Sequence, residues 1–380
     1  METNSSGSSR GRFARISVWL GIGLVVLIFV VPTGKAQRRG VDFLSEPACQ
    51  TLTPTSQGGP APKDPNLMVL RYLGAANHEV AYRDSVILLD AYYTRTALAR
   101  PLGFTREDVK KATAILIGHA HGDHFADAPF VAQRTGASVI GGPPTAEAAK
   151  RQGVPEKQIV SVSGGEVQEF HGFTVEAVLG HHSVRTPEFS RAASEAYRQL
   201  QIATGLSAPR SPEEQQSAQA RSGGPQPQQQ GGGDSIAERG TIVYLFSFNG
   251  GGYHLIYHDS AGPITDAERA VMRKIGGRTD MALVAYQGWF VPARQIEPTL
   301  PLVKLFNPDV FMPTHHDETG GSFPDIADYP LFMAVRDALP RTRSISPLYR
   351  TPVCVDVQTK EVYVGEPWAW ASNRRGTSSR

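Results

Sequence analysis

His119-Ala120-His121-Gly122-Asp123-His124 follows directly on the apolar run Thr113–Ile117. It places three imidazoles and one carboxylate within a single short turn. Neutral imidazole nitrogen and carboxylate oxygen are the ligands of borderline-soft divalent ions, zinc above all, and catalytic sites of this type keep one coordination position open. In an extended segment, side chains two apart share a face, so His119 and His121 can address one ion. A turn at Gly122 then lets Asp123 and His124 reach a second.

Outward from this cluster, short β-type runs recur at Met68–Leu73, Val86–Leu89, Ser138–Ile140, Ile159–Val162 and Phe173–Val178. A second series lies at Ile242–Phe248, Tyr253–Tyr257, Ala282–Val284 and Val310–Met312. Helix patterns fall between them at Phe125–Arg134, Thr145–Gln152, Thr265–Lys274 and Ile296–Phe306. Strands followed by helices in both halves predict an α/β protein built as a four-layer αββα sandwich, two sheets face to face with helices outside.

The flanks speak of address. Arg10, Arg12 and Arg15 precede the charge-free run Ile16–Val31, then Pro32 and Gly34-Lys35-Ala36. This is the layout of an export signal, and two readings stand: cleavage after Ala36, or retention of 1–36 as an N-terminal membrane anchor. Either way the body is expected outside the cytoplasm, periplasmic, secreted or anchored. Residues 37–66, poor in apolar periodicity beyond Gln50, are expected to be a linker, 67–366 the folded domain and 367–380 a tail. Cys49 and Cys354 are the two cysteines of the chain. In an oxidising compartment they can join, or both can stay free.

One stretch interrupts the domain. Ser207–Asp234 is dominated by Gln, Pro, Ser and Gly and cannot bury a core. Just before it, Phe189, Ala193, Ala196, Tyr197 and Leu200 share one helical face. Together they form an insertion, 184–240, an amphipathic helix plus a disordered loop. Starting beside His182, it reads as a lid or specificity element, or as a tolerated surface insertion.

With these residues in view, the chain resembles the metallo-β-lactamase fold superfamily of metal-dependent hydrolases. The H-x-H-x-D-H signature is His119–His124. A strand ending in His-Ser corresponds to Leu179-Gly180-His181-His182-Ser183, a strand ending in a bridging Asp to Tyr257-His258-Asp259-Ser260, and the closing Pro-x-His to Pro313-Thr314-His315. The resemblance implies that His119, His121 and His182 hold one ion, Asp123, His124 and His315 the other, with Asp259 shared. His182 is preferred to His181 because the pattern puts the ligand before Ser, and His315 to His316 by Pro-x-His, which leaves His316 as a supporting or substrate contact. Asp90 resembles the strand-end Asp that supports the site in relatives, or is a plain turn residue. His78 is the best placed of the remaining histidines for substrate contact, while His171, His254 and His258 read as ordinary surface or core residues. Trp289 or Phe290 is either an apolar wall of the site or core.

Such a pair of ions, roughly 3.5 to 4 Å apart, lowers the pKa of water from about 15.7 toward ~7. Asp123 is the expected catalytic residue, orienting the nucleophile while ligating. The leading expectation is an exported dinuclear zinc hydrolase acting on an ester, lactone, amide or phosphodiester of a small molecule or lipid. Among branches, the motifs look most like the lactonases of sugar phosphates and N-acyl phosphatidylethanolamine phospholipase D. Two other readings are kept: a non-catalytic metal- or ligand-binding protein, and an iron-dependent redox enzyme. A net charge of +2 with 19% charged residues shows no basic footprint for nucleic acid.

Overall fold

The computed structural model describes residues 40–95, 99–184, 239–286, 292–317 and 324–365, with scattered positions between 195 and 205; of 292–295 and 324–327 it describes only the backbone. The expected export segment, the insertion, the Trp289–Phe290 pair and the tail lie outside the described residues, apart from scattered positions and the insertion's two ends. Among the described residues, no helix is long and apolar enough to cross a membrane.

Among the described residues, fifteen strands form two sheets. The first contains β1 (Leu67–Tyr72), β2 (His78–Tyr82), β3 (Ser85–Leu89), β4 (Ala114–Leu116), β5 (Ser138–Gly141) and β6 (Ile159–Ser161). It is completed by β14 (Pro352–Asp356) and β15 (Val362–Val364), in the order β15-β14-β1-β2-β3-β4-β5-β6. The second contains β7 (Val167–Phe170), β8 (Phe173–Leu179), β9 (Ile242–Phe248), β10 (Tyr253–His258), β11 (Met281–Ala285), β12 (Val310–Thr314) and β13 (Arg343–Ser344). Its order is β13-β12-β11-β10-β9-β8-β7. The α-helices whose full extent is described are α1 (Gly122–Phe125), α2 (Ala128–Thr135), α3 (Pro143–Arg151), α4 (Asp266–Lys274), α5 (Pro292–Phe306) and α6 (Pro324–Ala338).

The period-2 alternation of each strand decides which core a side chain enters. Along β9, Ile242, Tyr244, Phe246 and Phe248 fill the core between the sheets, whereas Val243 and Leu245 face outward beneath α4, α5 and α6. Along β3, Ile87 and Leu89 point inward, and Leu88 joins the outer core under α2 and α3. The expected αββα layering is thus present. Strand β2 has no apolar alternation because all five of its residues are buried, Glu79 among them as the partner of buried Arg71. That is why it escaped the pattern reading.

The linker expectation is corrected. From Gly40 onward, the segment 40–66 is a strap packed on the outer face of the first sheet, where Val41, Ala48 and Cys49 share a core with Leu67, Val69, Ala81 and Cys354. Buried polar groups fasten it: Arg71 Nη2 donates to the Ala48 carbonyl at 2.6 Å, Glu79 accepts from the backbone of Thr55 and Ser56 at 2.8 Å each, and Asp356 accepts from Val41 N at 2.9 Å. A Pro- and Thr-rich stretch satisfies its backbone through such charged partners rather than through a ladder, so hydropathy alone misreads it.

Cys49 and Cys354 form a disulfide across 305 residues, choosing between the two readings the sequence left open. Closing a loop of that length contributes up to ~5 kcal/mol on the chain-entropy model. A Cys49→Ala/Cys354→Ala protein is therefore expected to melt roughly 5 °C lower, as read by calorimetry. An unchanged Tm would show that the strap is held by its polar fastenings alone.

Candidate metal centre

The candidate ligands come from strand ends and from the short helix α1 that follows β4, on one edge shared by the two sheets. His119 follows β4 through Ile117 and Gly118, Asp259 follows β10 and His315 follows β12. Strands β3, β4, β5 and β6 are mutually parallel, as are β10, β11, β12 and β13. Their carboxyl ends form the crevice in which ligands bind in open α/β sheets. His182 arrives from the end of β8 and is buried, while His181 beside it is exposed, which selects His182.

Three overlapping groups have all their ligand atoms within 4.8 Å of one another: His119, His121 and His182; His119, His124 and Asp259; Asp123, His124 and His315. These are the seven residues the sequence singled out. The first and third groups are the two expected triads, and the middle one places Asp259 between them. His119 Nε2 lies 3.0 Å from His121 Nδ1, and His124 Nε2 lies 3.0 Å from His315 Nε2. Nitrogens so apposed share a proton or a cation.

The surroundings orient these rings. His182 Nδ1 faces the Ser183 carbonyl at 2.9 Å, leaving Nε2 for the pocket. Asp90 Oδ2 holds His124 Nδ1 at 2.7 Å and accepts from Tyr257 Oη at 2.6 Å, while its Oδ1 accepts from Gly118 N at 3.1 Å. Asp90 is thus a supporting carboxylate and not a plain turn residue. A partner on the far ring nitrogen fixes the tautomer that ligates. Asp90 and His315 both adopt left-handed backbone, φ 55° and 58°, a strained choice for non-glycine residues that persists where the surroundings over-determine it.

Asp259 is completely buried. Its Oδ2 faces His119 Nδ1 at 2.6 Å and His124 Nδ1 at 3.2 Å, yet its Oδ1 has no hydrogen-bond partner among the described residues. A buried carboxylate oxygen without a donor is costly in an apolar interior, and a cation resolves that cost. The donor set therefore fits a pair of divalent ions. Burial would raise the Asp259 carboxyl, but His119 and His124 hold it below the usual carboxylate range. Burial and the neighbouring His124 push His119 down to about 3. Burial opposes charge on His124 too, yet Asp123, Asp90 and Asp259 outweigh it and raise that ring to about 10. A cation arriving at His124 Nε2 must displace a proton, because an imidazole ligates only when neutral.

The pocket above these groups is lined by His119, His121, Asp123, His182, Ser183, Asp259, Ser260, Ala261, Ala285 and His315, with His124 beneath. His78 and His316 are buried away from the pocket, and His258 is a core residue as expected. His78 is fully buried in β2, with Nε2 3.0 Å from Thr314 Oγ1. His316 is buried against the Tyr72 ring, centroids 4.8 Å apart, and does not line the pocket. His258 is buried beside Glu268, its Nε2 3.4 Å from Oε1. The sequence reading missed the Arg95–Asp317 pair at the back of the site, whose partners are 222 residues apart.

Part of the chain is similar to known proteins. Residues 86–201 match the family model described as a beta-lactamase superfamily domain. A metal-dependent hydrolase of Agrobacterium fabrum is 32% identical over 120 residues, covering 30% of this chain and 48% of the relative. One from Methanopyrus kandleri is 30% identical over 116 residues, with the same coverage of 30% and 48%. The chain spans about half the length of these curated relatives. A solved metallo hydrolase from Ignicoccus hospitalis is 17% identical with a TM-score of 0.48, over 76% of this chain and 98% of that one.

Proposed function

We propose that this chain is a member of the metallo-β-lactamase superfamily and a metal-dependent hydrolase using two divalent ions, zinc by preference, to cleave an ester, lactone, amide or phosphodiester bond. The observation that carries this reading is buried Asp259, set between two complete ligand triads with one oxygen unpartnered. Five imidazoles against two carboxylates favour zinc over harder ions.

Ions held there would supply Lewis acidity toward a carbonyl or phosphoryl oxygen and acidify water near neutral pH. The chain's own residues do the rest. Asp123 Oδ2 lies 3.2 Å from His315 Nε2 and 3.6 Å from His124 Nε2, and its side chain is 22% exposed. It touches both the ligand set and the open pocket, so it orients the attacking water and takes its proton at Oδ2. Ala261 and Ala285 keep one wall small and apolar, leaving room for the scissile group. No serine or cysteine nucleophile is needed.

We read the N-terminal segment as directing the body out of the cytoplasm, by cleavage or as an anchor. The Cys49–Cys354 disulfide supports that reading, because such bonds persist in oxidising compartments. The substrate is a small molecule or a lipid.

Elemental analysis of protein purified without added metal is expected to find about two zinc ions per chain, removable by chelation together with hydrolysis of a panel of lactones, phosphodiesters, acyl amides and β-lactams. Iron with a visible absorption band in place of zinc would move the reading to redox chemistry. Metal without turnover on any of these bonds would favour a binding protein.

A further inference from the structure

We propose that Asp317, clamped by Arg95, is a positioning residue that holds His315 in its strained ligating conformation and so sets the affinity of the Asp123–His124–His315 site. The inference rests on reading His315 as a ligand. It comes from a closed ring of contacts around Ala75. His315 N donates to the Ala75 carbonyl at 2.7 Å, and Ala75 N donates to Asp317 Oδ1 at 2.7 Å. The Asp317 side chain therefore returns, through both backbone groups of one residue, to the peptide of the ligand two positions before it. Ala75 is itself left-handed, at φ 50°. Two strained residues lock each other, and Asp317 closes the lock.

The carboxylate is over-anchored for an ordinary loop residue. It is fully buried and accepts from Tyr72 Oη at 2.5 Å, from Arg95 Nη1 at 3.0 Å and from Tyr349 Oη. Arg95 Nη2 donates to the Asp317 carbonyl as well, so one guanidinium grips both the side chain and the backbone of that residue. Arg95 reaches this position across Gly74, where an added Cβ would fall 2.6 Å from Nη1 and 2.7 Å from Leu102. Gly74 stands at φ 89°, so both its conformation and its lack of a side chain serve the clamp. On the other side of the ring, Thr314 Oγ1 lies 3.0 Å from His78 Nε2 and 3.4 Å from the Ala75 carbonyl. None of these groups lines the pocket. Among the candidate ligands the clamp contacts the backbone of His315 directly, whereas the triad His119, His121 and His182 belongs to other strand ends.

The test is stepwise titration of the chelated full-length protein with Co²⁺, followed by its visible absorption bands. His315→Ala identifies which step reports the Asp123–His124–His315 site. Asp317→Asn is then expected to weaken that step by about 10–100-fold while the other stays within about twofold, the range typical of groups that orient ligands from behind. A merely structural role would lower both steps together with the melting temperature. Because removing one partner of a buried pair can unfold a protein, Arg95→Lys is titrated in parallel; it keeps the charge and loses the double grip. Intact steps in both variants, or equal weakening of both steps, would overturn the clamp. Retention of both steps in His315→Ala would instead overturn the ligand assignment on which the clamp depends.

Discussion

Asp123→Ala is expected to lower turnover by about 10²–10⁴-fold on whichever ester, lactone, amide or phosphodiester the enzyme cleaves, with little change in melting temperature. The side chain is partly exposed at the pocket floor and outside every hydrophobic core, so its removal leaves the packing untouched. What is lost is the carboxylate that faces both His124 and His315 and takes the proton of the attacking water. Asp123→Asn keeps the shape without the basic oxygen and should lose nearly as much. Steady-state kinetics beside metal analysis separates the two contributions: a variant that keeps its metal and loses kcat places Asp123 in the chemistry. Undiminished kcat in both variants would remove it from the mechanism.

The second large effect is expected at a residue without a side chain. A Cβ at Gly118 would fall 2.1 Å from the Asp259 carboxylate carbon and from its Oδ2. No rotamer of a fully buried Asp held by His119 at 2.6 Å can give that much. Gly118→Ala should push Asp259 out from between the triads and weaken metal binding by at least about 100-fold, more than typical substitutions that only support a ligand. The cost to the fold is smaller, roughly 1–3 kcal/mol for local overpacking, so the variant is expected to purify folded but metal-poor. Competition with a chromophoric chelator measures the affinity directly. Normal metal content in Gly118→Ala would mean that Asp259 is not the shared ligand.

Much of the site was legible because its ligands travel in short motifs at strand ends. His119, His121, Asp123 and His124 are adjacent in the chain, and strand-end geometry needs only local rules to bring them to one edge. The later candidates His182, Asp259 and His315 were legible through resemblance, and the fold brings all three beside the early cluster. The choice of His182 over His181 shows the boundary. Both belong to one short segment after β8; the motif prefers His182 for its place before Ser, and the fold buries that ring against His119, centroids 4.5 Å apart, while His181 is exposed.

Elements whose residues are buried on all sides were harder to see. Strand β2 hides Glu79 because Arg71 neutralises it from the neighbouring strand, and the strap 40–66 is folded through charged side chains of β1, β2 and β14. In both cases the decisive partner is distant in sequence, so no window of residues contains the reason.

By itself the sequence determined the alternation that sorts side chains between the inner and outer cores, and it singled out the seven side chains that gather as candidate metal ligands. These follow from periodicity and from the chemistry of imidazole and carboxylate, which are properties of single segments. Tertiary structure alone decided the disulfide, the strap, the supporting role of Asp90 and the clamp from Arg95 through Asp317 to His315. Each depends on a contact between groups far apart along the chain, held in place by burial and backbone strain that exist only after the two sheets have met.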